Sequence, residues 1–240
     1  MPLSYCQRLC LIIPCLVTLT VNLPRLSHLF REKRIGEVFL SGNMSSLRLA
    51  LFIDAQNFYR SARRSFFTLS GNTYGSVYGQ FKPMEIGKLI SQRAKADLCE
   101  VRIYTGRPVA DKEPKTYSAN MKQCSTWEKE GVTVIHRSLR YPHDWPNSKP
   151  SEKGIDVALT VDFVAMGIDK QYDIGIIASI DTDLVPALEY MHHKCGNDCS
   201  VGVTAWDGSN RLRIKGGNIP CYWLKQADYD AVADQTSYSS

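Results

Sequence analysis

The chain has 240 residues, a net charge of +5, and 44% apolar against 22% charged residues. That length suits one domain with an extension, and that composition excludes a chain disordered throughout. The mild positive excess is compatible with a polyanionic partner without requiring one.

In chain order, residues 9–23 form an apolar run behind Arg8. Pro14 and Asn22 interrupt it, so it is too short for a confident membrane span, and no small-x-small cleavage site follows. Met44 stands directly before a segment patterned like the first strand of an α/β domain. Residues 1–43 are therefore read as an N-terminal extension, either disordered or the product of a misplaced start, and no membrane partner is expected. The domain is expected over 44–226, with a polar, fraying tail over 227–240.

Leu49–Ile53 is nearly all apolar, as a strand buried on both faces must be. Gln56–Arg64 follows as a helix. Ser65–Lys82, rich in Gly, Ser, Thr and Tyr, reads as a loop or flap. Pro83 opens a helix running to about Ala96. Glu100–Tyr104 is a strand, Lys115–Glu130 a helix stopped by Gly131, and Val132–His136 a strand. Arg137–Glu152 is a polar, proline-bearing loop. Lys153–Met166 is a helix apolar on most faces, hence expected to be buried. Ile174–Ser179 is a strand, Leu184–Lys194 a helix ended by Gly196, and Ser200–Thr204 a strand. Asp207–Gly217 is a loop or short helix, and Cys221–Leu224 a last strand.

Strands alternating with helices predict an α/β fold: a Rossmann-like three-layer sandwich with a mostly parallel sheet. Ligands of such sheets sit at the carboxyl ends of the strands. Asp54 ends the first strand, Asp181 and Asp183 follow Ile174–Ser179, and Asp156 lies in the first turn of its helix. Four carboxylates are thus expected at one edge. Acids brought together repel unless a cation lies between them, and oxygen-only donors suit magnesium or manganese. Each acid also has a plainer reading, with Asp54 and Asp183 capping helices and Asp156 complementing a helix dipole. Asp162, six residues beyond Asp156, points about 120° away on the same helix, so a structural role is expected for it.

The eight cysteines include no C-x-x-C pair. Cys195 and Cys199, behind His192 and His193, lack the second ligand pair of a zinc site, and reduced thiols in a cytoplasmic protein are expected.

Three spaced motifs carry a resemblance: Phe52-Ile53-Asp54-x-x-Asn57, Lys153-Gly154-Ile155-Asp156-Val157-Ala158-Leu159 with Asp162, and Ser179-x-Asp181-x-Asp183-Leu184-x-Pro186. Together, over about Leu47–Leu224, they resemble the NYN domain, a branch of the PIN-like nuclease superfamily, and its LabA-like group. The resemblance implies magnesium- or manganese-dependent hydrolysis of RNA phosphodiesters by an acidic quartet: Asp54, Asp156, Asp181 and Asp183. Asn57 and Ser179 match accompanying polar positions that place a water or a carboxylate. Products with 5′-phosphate and 3′-hydroxyl ends are implied. Ala55 and Ile180 stand where the family usually has glycine, and Leu184 where it has an aromatic residue.

Single-stranded RNA is the expected substrate, gripped by Arg60, Arg64, Arg107 and Lys153, with Tyr74, Tyr78, Phe81, Tyr141 and Trp145 as stacking candidates. A homo-oligomer or a regulatory protein is a further possible partner. The rival is an NYN-fold RNA-binding module that has lost turnover. A haloacid-dehalogenase-type phosphatase is disfavoured by Gln56 in place of a second Asp, and a dinucleotide-binding protein by the lack of Gly-x-Gly-x-x-Gly after the first strand.

Overall fold

The computed structural model describes residues 46–67, 77–195 and 198–239. The chain divides into two units between Met44 and Ser45, and the described residues belong to the second. The extension 1–43 lies outside the described residues, as do Tyr74 and Gly196.

Six strands form one sheet in the order β3-β2-β1-β4-β5-β6. They are β1 (Arg48–Asp54), β2 (Asp97–Arg107), β3 (Thr133–Ser138), β4 (Ile174–Ala178), β5 (Ser200–Trp206) and β6 (Cys221–Leu224), and every neighbouring pair is parallel. The helices are α1 (Ala55–Phe66), α2 (Pro83–Ala94), α3 (Pro114–Lys129), α4 (Ile155–Ile168), α5 (Val185–Cys195) and α6 (Gln226–Val232). This is the expected α/β sandwich.

Alternation along β1 builds both cores. Leu49, Leu51 and Ile53 pack on one face with Phe58 of α1, Ile86 and Ile90 of α2, and Trp127 of α3. Ala50 and Phe52 pack on the other with Leu159 and Phe163 of α4 and Leu188 and Met191 of α5. Because both faces are covered, the strand has no polar alternation. The chain leaves β1 for β2 on one side and later returns to β4 on the other. That order makes the gap beyond the carboxyl ends of β1 and β4 a topological switch point, where open α/β sheets bind ligands.

Four expectations need correction. β2 is 11 residues long rather than five, because its first half alternates exposed and half-buried positions and lacks the signature of a buried strand. α4 is not buried all round: Val157 and Val161 are each 57% exposed, so its outer face is apolar but unpacked. The segment after Asp228 does not fray. Tyr229 and Val232 of α6 join the first core, the Gly79 N–H donates to the Tyr229 hydroxyl at 2.7 Å, and Phe81 pairs with Ala233 in an antiparallel bridge. Finally, Cys99, Cys124 and Cys221 are free thiols, but Cys199 is disulfide-bonded. Among the described residues no helix is long and apolar enough to cross a membrane.

Candidate active site

Asp54 is the last residue of β1 and the N-cap of α1, so strand passes to helix with no intervening loop. Its carboxylate accepts from the Asn57 N–H at 3.2 Å, as a capping side chain does. The Ser179 hydroxyl donates to its other oxygen at 3.3 Å. Asp54 is only 8% exposed. Burial, with the neighbouring charges of Glu152 and Asp181, raises its pKa to about 6, against the lowering effect of its two hydrogen bonds.

The loop beyond β4 is tied to the loop beyond β1. Asn57 Oδ1 accepts from the Ile180 N–H at 3.0 Å, and Ser179 Oγ accepts from the Asp181 N–H at 3.0 Å. Asp181 in turn caps the short 3-10 turn Thr182–Leu184, accepting from the Asp183 N–H at 3.1 Å. Asn57 and Ser179 therefore tie the loop that carries Asp181 to the end of β1. Neither Ala55 nor Ile180 has a positive φ. The glycine usual in the family at those positions is not needed here for backbone conformation.

The third side of the site holds a residue that the sequence did not reveal. Glu152 Oε1 accepts from the Gly106 N–H at 2.7 Å, at the end of β2. A Cβ on Gly106 would lie 2.6 Å from that oxygen, so a glycine makes the room. Burial raises the Glu152 pKa, the Gly106 N–H and the charge of Arg60 oppose this, and the charge of Asp156 adds to it. Glu152 thus joins Asp54 to Asp156 electrostatically. Gly154, the N-cap of α4, has φ 74°, and a Cβ there would meet Arg137 Nη1 at 2.9 Å. Its left-handed turn swings the chain from Glu152 into the helix turn carrying Asp156. The one signal available in the sequence was a glycine ending β2 in Thr105-Gly106-Arg107.

The expected quartet is therefore placed unevenly. Asp54 acts with Asp181 and Glu152, and Glu152 with Asp156. Asp183 is exposed, and its recorded bond runs from its backbone N–H to Asp181. Among the described residues no group of three or more His, Cys, Asp or Glu side chains is assembled to hold a metal ion. Asp162 has the structural role expected of it: it accepts from Tyr104 Oη at 2.8 Å and Arg102 Nη2 at 2.9 Å.

The NYN domain family model matches residues 48–213. The chain belongs to the NYN domain family. All three motifs lie inside the match, which places the chain in the PIN-like nuclease superfamily. Among solved structures, a protein of unknown function from Vibrio parahaemolyticus aligns at 15% identity with a TM-score of 0.45, covering 68% of this chain and 83% of that one. No curated protein matches the chain.

Around the acids of this NYN domain, the four expected RNA-binding cations differ in exposure. Arg60 is exposed on α1 and bears on Glu152. Arg64 and Lys153 are exposed. Arg107 is half-buried, donating to Asn120 Oδ1 at 3.2 Å and lying 2.6 Å from His136 Nε2. Of the stacking candidates, Phe81 is core. Tyr141 anchors its loop, donating to Glu113 and accepting from the Val109 N–H, with Trp145 edge-on against it.

Proposed function

We propose that this NYN domain is a magnesium- or manganese-dependent endoribonuclease of the LabA-like group, cutting single-stranded RNA in the cytoplasm. The observation that carries the reading is Asp54. It is a buried carboxylate pressed upon by Glu152 and Asp181, and no cation is among the groups acting on it. Folding has placed a charge where only a bound cation or a proton relieves it. The oxygen-only donor set suits a hard divalent ion. Asp54, Asp181 and Asp156 would hold such an ion, with Asp183 and Glu152 as further carboxylates of the same edge.

A bound magnesium or manganese ion supplies charge neutralisation at the phosphate and activation of a water. The chain's own residues do the rest. Ser179 and Asn57 fix the two acidic loops against each other. Glu152, held through Oε1, keeps its second oxygen for a proton from the attacking water. Arg60, Arg64 and Lys153 hold phosphates without reading sequence. No histidine belongs to the site, so hydrolysis to 5′-phosphate and 3′-hydroxyl ends is expected. A homo-oligomer or a regulatory protein partner belongs to the same reading.

A second reading, an RNA-binding module without turnover, is favoured by one observation, the lack of an assembled three-donor group among the described residues. Cleavage of labelled single-stranded RNA, with magnesium, manganese or EDTA, separates the two. Metal-dependent cutting by wild type, reduced at least a hundredfold by Asp54→Asn and by Asp181→Asn, supports the enzyme. Uncut RNA with well-folded wild-type protein supports the module.

A further inference from the structure

A cavity of about 330 Å³ opens beside the acids, between α1, α3 and the carboxyl end of β2. It shares Ala55, Gln56, Gly106 and Glu152 with the acidic edge, so anything whose phosphate reached Asp54 would bring its adjoining group to this opening. Its size falls at the small end of ligand pockets, about 300–1,000 Å³.

We propose that this cavity receives one unpaired base of the RNA, placing the adjoining phosphate at the acids. The proposal rests on the ribonuclease reading above and adds a base-reading subsite to it. Two properties of the walls support a base. First, the half-buried Tyr59 supplies aromatic surface of the kind on which bases stack, and the core side chains Phe81 and Trp127 complete the apolar wall. Second, apart from Glu152 at the shared edge, the polar lining is uncharged and amide-rich. Gln56 and Gln123 contribute side-chain amides to the wall. Asn120 has its oxygen occupied by Arg107 Nε, which leaves its NH₂ as a donor. Side-chain amides both donate and accept, which matches the mixed edge of a base and is poorly suited to a lipid tail or a charged peptide.

Trp127 Nε1 and Gln80 Oε1, on residues of the same walls, are closed off from solvent and have no hydrogen-bond partner. Tyr238, whose hydroxyl donates to Asp234 at 2.8 Å, closes another wall.

The test is equilibrium binding of the full chain in EDTA to labelled octamers U8, C8 and A8 and to an abasic octamer with the same phosphates. Cleavage is measured separately in manganese. Wild type is expected to bind at least one base-bearing octamer about tenfold more tightly than the abasic one, the scale of one stacked base. Ala119→Phe, which puts a ring into the cavity, and Gln123→Leu, which removes an amide from it, should each reduce that preference to the abasic level. Abasic binding should stay unchanged. The second variant keeps the test alive if the first fails to fold. Equal binding of abasic and base-bearing octamers by wild type, or an undiminished preference in well-folded variants, overturns the pocket. Cleavage without base-dependent binding overturns the pocket and leaves the nuclease standing. Base-dependent binding without cleavage does the reverse.

Discussion

β1 carries a charged residue at each end, and the two ends are treated in opposite ways. At the amino end, Arg48 meets Asp173 through two side-chain contacts of 3.0 and 3.1 Å and a backbone N–H bond of 2.7 Å. Those bonds hold the Asp173 carboxyl below its ordinary range. At the carboxyl end, Asp54 has hydrogen bonds but no cation, and burial raises its pKa to about 6. The signs of the linkage follow. Asp173 contributes stability above its unfolded pKa that is lost as pH falls through its folded one. Asp54 contributes stability only while protonated, and this is lost as pH rises through about 6. At neutral pH without a cation, its ionisation costs on the order of 3 kcal/mol. The amino edge carries a paired charge, and the carboxyl edge a buried carboxylate with no cation among the groups that act on it.

Substitutions can break or sharpen this contrast. The largest effect is expected on cleavage in Asp54→Asn and Asp181→Asn, as given above. Next is Gly106→Ala. Its new methyl would lie 2.5 Å from Leu139 Cδ2 and 2.6 Å from Glu152 Oε1. Overpacking of this kind costs about 1–3 kcal/mol. Cleavage should fall more than tenfold, and Tm should drop by several degrees. Full activity at unchanged Tm would show that Glu152 is not part of the site. Smallest on activity is Asp162→Ala, which removes the partner of Arg102 and Tyr104. Chemical denaturation should register a loss of about 1–3 kcal/mol. The cleavage rate of the folded fraction should stay within a factor of two, and a hundredfold loss would move Asp162 into the site.

Much of this was legible in the sequence because it follows from periodicity. Asp54, Asp181 and Asp156 fall at strand ends or in a first helical turn, and parallel sheets bring those points to one edge. Asp162 was set apart from Asp156 by counting residues around α4, and the structure pairs it with Arg102 and Tyr104. Glu152 could not be found this way. It sits in an irregular loop, and its location is fixed by a backbone N–H on β2, 46 residues away. The α6 segment was misread because Tyr229 and Val232 lie among acidic, polar neighbours. Its burial comes from pairing with residues 79–82, which no local pattern announces. α4 was misread for the opposite reason: apolar residues on all sides cannot say which face is packed.

The most direct test of the account is thermal stability of wild type and Asp54→Asn at pH 7.5, in EDTA and in millimolar manganese. Asparagine keeps the cap and removes the charge. The variant is therefore expected to melt higher than wild type in EDTA by several degrees, as a gain of about 1–3 kcal/mol implies. Manganese should raise the Tm of wild type and leave the variant unmoved. A variant that melts lower than wild type in EDTA, or that gains as much from manganese, would contradict the claim that Asp54 is a carboxylate held ready for a cation.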